Sequence, residues 1–160
     1  MFQERRTALK TLDQPNVKRE IVERIGRLRP NFERRWGRMN ARQMVSHLND
    51  AFLGAMGERA VPIDPDFRRR RLIKWCALYL PTHWPHGFPT RPEIDQELNG
   101  TAPGDFEADR QTLLELVERF TRQPREYRFQ SHPMFLEMTE WQWMRWGYLH
   151  TDHHLREFGV

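Results

Sequence analysis

Apolar residues recur with a helical period in four stretches of the chain. Between Pro15 and Leu28 they are Val17, Ile21, Ile25 and Leu28, a single stripe. Pro15 suits a first helical turn and Pro30 stops the run. A second helix is predicted from about Ala41 to Met56, with Met44, Leu48, Ala51, Phe52 and Ala55 on its buried face. Asn40 as N-cap, Gln43 three residues on, and the Met39/Met44 pair give it a capping box and a hydrophobic staple. A third is predicted over Asp105 to Arg122, capped by Asp105, with Phe106, Leu113, Leu114, Val117 and Phe120 inward and Pro124 beyond its end. The stretch from Met138 to Gly159 repeats the opening of the second helix. Thr139 and Gln142 form the box, Met138 and Trp143 the staple, and Gly159 suits the left-handed residue that follows a helix end.

Between these stretches the pattern breaks. Residues 1–14 are polar without a period, a short helix or an arm. Residues 31–39 form a connector, with Trp36 as its anchor and Gly37 as its turn. Residues 57–104 are a long interruption. Asp64-Pro65-Asp66 opens a short predicted helix over 66–80, with Phe67, Leu72, Ile73, Trp75, Cys76, Leu78 and Tyr79 as its apolar positions. The Pro- and Gly-rich run LPTHWPHGFPTRPEID then reads as an irregular ordered loop that Trp84 and Phe88 pin down. A loop this long in one domain is functional or a covering segment. The sum is an all-α chain in one domain, 1–160. The economical architecture is a four-helix bundle whose long insert between the second and third helices serves as a crossover.

Length and composition narrow the class. A chain of 160 residues is long enough for one real core. No apolar run approaches the ~20 residues that span a bilayer, and MFQERRTALK has no signal-peptide core, so no membrane partner is expected. The single Cys76 excludes an internal disulfide and points to the cytoplasm. The net charge of +4, nearly all of it from arginine, is a weak signal for nucleic acid.

The candidate chemistry lies in histidines. His150 and His154 are one helical turn apart, on the same face as Trp143 and Trp146, so both imidazoles can reach one point. A metal ion is one reading. The plainer one is a chance spacing among seven histidines, in helix-end positions that the macrodipole favours. His47 lies at the edge of the second helix's buried stripe and needs a partner there. A carbonyl or carboxylate is the plain candidate; a metal, with His47 as third ligand, is the sharper one.

Other features read as structural. His153 and Asp152 point elsewhere on the helical wheel, to the surface or to support of the ligands from behind. His83 and His86 are better as part of a lid than as a separate metal site, and His132-Pro133 reads as a turn. Arg68–Arg71 reads as a solvated face before an anion or nucleic-acid contact. Cys76 reads as packing. No phosphate-binding glycine loop, no Ser-His-Asp order and no zinc-finger cysteine spacing occurs.

The blocks GRMNARQMVSHLNDAF and HPMFLEMTEWQWMRWGYLHTDHHLREFG resemble the DinB/YfiT-like metal-binding superfamily, and within it the uncharacterised DUF1569 group. The resemblance runs in order through most of the chain. It implies a four-helix bundle with a long crossover and a three-histidine metal site, which maps here onto His47, His150 and His154. Three imidazoles leave coordination positions open, as catalytic sites do, and suit Zn, Ni, Fe or Cu. Gly54 and Gly147 on the ligand faces leave room above such a metal or else allow close helix packing. Asp50, one turn from His47, is the candidate acceptor behind it, or else a solvated charge. Characterised relatives imply a divalent-metal enzyme acting on a small molecule, by thiol S-transfer with a low-molecular-weight thiol cosubstrate or by hydrolysis, with the general base unassigned. A homodimer is also implied. The alternatives are a non-catalytic metal-binding or stress-response module and, less favoured, an arginine-mediated nucleic-acid binder.

Overall fold

The computed structural model describes residues 9–66 and 69–160. Residues 1–8 of the predicted arm, Phe67 of the predicted stripe and Arg68 of the arginine run lie outside them. Among the described residues there are five α-helices and no strand: α1 (Pro15–Arg27), α2 (Ala41–Met56), α3 (Arg70–Tyr79), α4 (Phe106–Thr121) and α5 (Glu140–Glu157), with a 3-10 turn at Pro92–Ile94. None of these helices is long and apolar enough to cross a membrane.

The helix ends follow local chemistry. Both capping boxes form. Asn40 Oδ1 accepts from the Gln43 backbone N–H and Gln43 Oε1 from that of Asn40, each at 2.9 Å. Thr139 and Gln142 do the same at 3.3 and 2.9 Å. Asp105 caps α4 through the Ala108 N–H at 3.0 Å. Gly57 and Gly159 take the left-handed conformation after α2 and α5 at φ 83° and 75°. These contacts satisfy N–H and C=O groups that a helix end leaves without partners.

The predicted stripes of α1 and α2 are buried, while α4 is turned slightly: Leu116 is buried and Leu114 lies at the edge. α2 packs on α4, α1 on α5 and on α4, and α5 reaches α2 and α3. Aromatic rings fill the centre. Phe52 meets Phe120 edge-on at 4.9 Å, Trp143 meets Trp146 edge-on at 5.3 Å, and Phe129 stacks on Trp143 at 5.0 Å. Edge-to-face and offset pairs add about 0.5–1.5 kcal/mol each beyond the area they bury.

Two parts of the fold depart from expectation. The supposedly polar arm carries a core residue: Leu12 is fully buried, its N–H bonds the Met144 carbonyl at 2.9 Å, and its side chain lies against Gly147. In the insert, α3 is shorter than predicted and only its Leu78 is fully buried. Leu72 and Trp75 are 57% and 46% exposed, because no described element covers that face. Trp84 does pack down and donates to the Ala77 carbonyl at 2.9 Å, but Phe88 remains 52% exposed.

The rest of the insert is tied by buried polar groups. Asp50 on α2 accepts from the Thr101 N–H (2.8 Å), the Thr101 hydroxyl (2.7 Å) and Gln96 Nε2 (3.0 Å). Arg59 pairs with Asp50 at 3.1 Å and donates to the carbonyls of Glu93 and Asn99 at 2.9 and 2.7 Å. Arg70 donates to the Pro133 and Met134 carbonyls at 3.1 and 2.9 Å, so this arginine of the run is a staple rather than part of a solvated face.

Candidate metal centre

His47, from the middle of α2, meets His150 and His154 from the last turns of α5. One ring nitrogen from each lies within 4.8 Å of the others. The ring centroids form a near-equilateral triangle with sides of 5.1, 4.7 and 5.0 Å. His47 Nε2 and His150 Nε2 are 3.1 Å apart. Two nitrogens on one tetrahedral zinc, each at about 2.0–2.1 Å, stand roughly 3.3 Å apart, so this spacing fits shared ligation. The three histidines therefore lie close enough together to be compatible with one metal ion.

Two of the rings are held from behind. His47 Nδ1 donates to the Ile94 carbonyl at 2.7 Å, which leaves the Nε2 lone pair facing the centre. His154 Nδ1 sits 3.0 Å from Glu157 Oε2, with the same consequence for its Nε2. This is how imidazole ligands are usually oriented: the distal nitrogen is fixed by an acceptor and the tautomer with it. His150 is held by packing, its ring 5.0 Å from Trp146 and 6.1 Å from Trp84.

The surroundings keep the rings neutral. Burial, reinforced by the neighbouring His154, lowers His47 to a pKa of about 3. Burial brings His154 to about 3 and pushes His150 well below its usual value. A neutral imidazole has the free lone pair that ligation needs. Burial raises Glu157 the other way, to about 7.

The backing residues differ from those expected. Asp50 is neither behind His47 nor solvated. It is 1% exposed and holds Thr101, Gln96 and Arg59, and so ties down the segment that contains Ile94. Glu157 lies outside the residues the sequence pattern predicts, although an acid three residues beyond a helical histidine is a readable signal. The connector seals it. Arg35 N–H bonds the Glu157 carbonyl at 2.7 Å, and Gly37, at φ 76°, lies so close that a Cβ there would meet Glu157 Oε1 at 2.0 Å.

The other histidines stay outside the triangle. His132 Nδ1 accepts from the Met134 and Phe135 N–H groups at 3.2 and 3.1 Å, a turn-forming role. His86 stacks on Trp36 at 4.0 Å, and His83 lies 3.8 Å from Asp152. His153 is partly buried at the cavity wall. Asp152 is buried and pairs with Arg24 at 2.7 Å, an ion pair between α5 and α1 that no sequence pattern announced. Cys76 is a free, partly buried thiol.

A cavity of about 180 Å³ opens onto the three histidines. Ala51, Gly54, Val61, Trp84, Phe135 and Trp146 are among its mostly apolar walls. Gly54 does line it, though a Cβ there would come within 2.9 Å of Val61. Gly147 serves packing instead: a Cβ would meet Phe120 at 3.0 Å and Leu12 at 3.1 Å.

No curated protein and no solved structure matches the chain. The model of the family described as "Protein of unknown function (DUF1569)" matches residues 6–159, so the chain belongs to that family.

Proposed function

We propose that this DUF1569 protein is a metal-dependent enzyme in which His47, His150 and His154 hold one divalent transition ion, Zn, Ni or Fe. The observation that carries the reading is the triangle itself: three neutral imidazoles, two of them buried and the His150 ring partly so, two of them backed by acceptors, at the wall of an apolar cavity. Such an ion, when bound, supplies Lewis-acid chemistry and makes a water or a thiol brought to it more acidic. The chain's own part is to orient the rings through Ile94 and Glu157, to exclude water with Trp84, Trp143 and Trp146, and to admit a small molecule beside the histidines. The reaction class that fits is thiol S-transfer with a low-molecular-weight thiol cosubstrate, or hydrolysis; the general base is unassigned.

Four long helices around one core, with residues 57–104 bridging the second and third, support a four-helix bundle with a crossover of the DinB/YfiT-like kind. We extend the reading to a homodimer in the cytoplasm acting on a small-molecule substrate.

One observation favours a non-catalytic alternative. At 3.1 Å, His47 Nε2 and His150 Nε2 can also hydrogen-bond each other, so the triad could be a packed polar cluster. A screen of thiol transfer and ester or amide hydrolysis separates the two. The protein is loaded in turn with Zn, Ni and Fe, with chelator-treated and His150→Ala samples alongside. The enzyme reading expects turnover that the chelator and the substitution both remove. Equal turnover in His150→Ala contradicts it.

A further inference from the structure

The cavity beside the histidines has a composition that says what enters it. Its size is one constraint. A cavity of about 150 Å³ lined by aliphatic and aromatic groups accepts a benzene-sized ligand, and this one is about 180 Å³. Its walls are the second: Ala51, Val61, Ile73, Trp84, Phe135 and Trp146 leave flat, apolar surfaces that favour a planar, poorly hydrated body.

Charge is the third. Among the described residues, no carboxylate lines the cavity and Arg91 is its single arginine or lysine. The guanidinium is oriented but not saturated. Its Nη1 is 3.4 Å from Asp64 and its Nε 3.4 Å from Glu93, both beyond the ~2.7–2.9 Å of a charge-assisted hydrogen bond. Nε is buried beside Glu93 Oε2 and makes no hydrogen bond, so the donors left to a cavity ligand are those of the Nη groups. Both acids stand outside the cavity wall, so they hold the guanidinium in place and leave donors for something else. A planar fork with donors to spare, at the edge of an apolar cavity, matches a carboxylate in a way a lysine would not.

We propose that the cavity binds a small carboxylate with a planar apolar body, the body between Trp84, Trp146 and Phe135 and the carboxylate on Arg91. The size allows a single aromatic ring with a short substituent. The far end of such a molecule then lies toward the histidines, and in that respect alone the inference rests on the proposed metal centre.

The test titrates untagged wild-type protein with benzoate, acetate and benzylamine by calorimetry, before and after chelator treatment, with elemental analysis of the same samples. Benzoate is expected to bind at least about tenfold more tightly than either of the others, acetate lacking the body and benzylamine carrying the wrong charge. Arg91→Gln is expected to remove that preference. Val61→Phe, which fills the cavity from the loop side, is expected to remove benzoate binding with the metal content unchanged. Equal affinity for benzoate and acetate, or for benzoate and benzylamine, overturns the proposal, as does unchanged benzoate binding in Arg91→Gln. The metal reading fails separately. Protein that never holds metal yet prefers benzoate sinks the metal centre and leaves this inference standing; metal-loaded protein without the preference does the reverse.

Discussion

The helix pair α2 and α5 and the insert 57–104 build the same cavity by opposite means. The pair is periodic, doubly capped and buried along most of its length, and it delivers three histidine rings to one point. The insert has one short helix with a single fully buried residue, and it is held by side chains gripping backbone carbonyls: Arg59 on Glu93 and Asn99, Arg70 on Pro133 and Met134. Apolar packing sets the positions of the ligands, and polar ties set the positions of the walls. The two regions meet at Asp50 and Ile94. Asp50, one turn beyond His47, anchors the segment whose Ile94 carbonyl returns to fix the His47 ring.

If packing dominates in one region and ties in the other, truncations should separate them. Trp143→Ala empties the centre of the helical core and is expected to cost about 3–5 kcal/mol. Trp84→Ala, in the insert, removes a partly buried ring and one hydrogen bond, and should cost less than half of that. Denaturant midpoints at constant m-value compare them, and equal costs would erase the distinction.

The buried histidines sharpen it through pH. Burial lowers His132 to about 3 in the folded protein, against an ordinary value of 6.5, and His47 and His154 behave alike. A depressed folded value means stability that is complete above pH 6.5 and is lost as the pH falls toward 3. Each group contributes up to about 1.4 kcal/mol per pH unit in that window. Glu157 opposes this between its folded value of about 7 and its ordinary 4.5, but it is one group against several. The metal-free protein should therefore have a flat melting temperature above neutrality and a steep fall below pH 6. A melting temperature that holds down to pH 4 would contradict the burial of these rings.

At the junction, Asp50→Asn weakens the tie that holds Ile94, and Glu157→Gln weakens the one on His154. Glu157→Gln should lower metal affinity by roughly 10–100-fold while the fold persists, the usual effect of losing a group behind a ligand, and Asp50→Asn, acting one step further back through Ile94, should lower it by less. Competition with a chromogenic chelator reads this directly, and unchanged affinity in both would mean the rings are held by packing alone. The smallest expected effect is Thr139→Ala, which removes one side of the α5 capping box for about 1 kcal/mol, again from denaturant midpoints.

Legibility from the sequence divides along the same line. The capping boxes, the stripes and the His150/His154 spacing could be read because helical periodicity repeats a local rule. Leu116 taking the place of Leu114 is within the tolerance of that rule, since a small rotation of α4 exchanges them. Ile94 could not be read, because its contribution is a carbonyl and carbonyls leave no trace in residue type. Asp50 reads as a candidate acceptor behind His47 and Asp152 as a residue off the ligand face; only the fold shows Asp50 buried against Arg59 and Asp152 buried against Arg24. Leu72 and Trp75 looked like core, and periodicity predicts a face without saying what covers it.

The central claim is that His47, His150 and His154 gather one metal ion. Elemental analysis of untagged protein, wild type beside His150→Ala, tests it most directly. The account predicts about one equivalent of a transition metal in the wild type and almost none in the substituted, still folded protein. A wild type that stays empty after reconstitution with Zn, Ni and Fe, or a His150→Ala protein that keeps its metal, would contradict it.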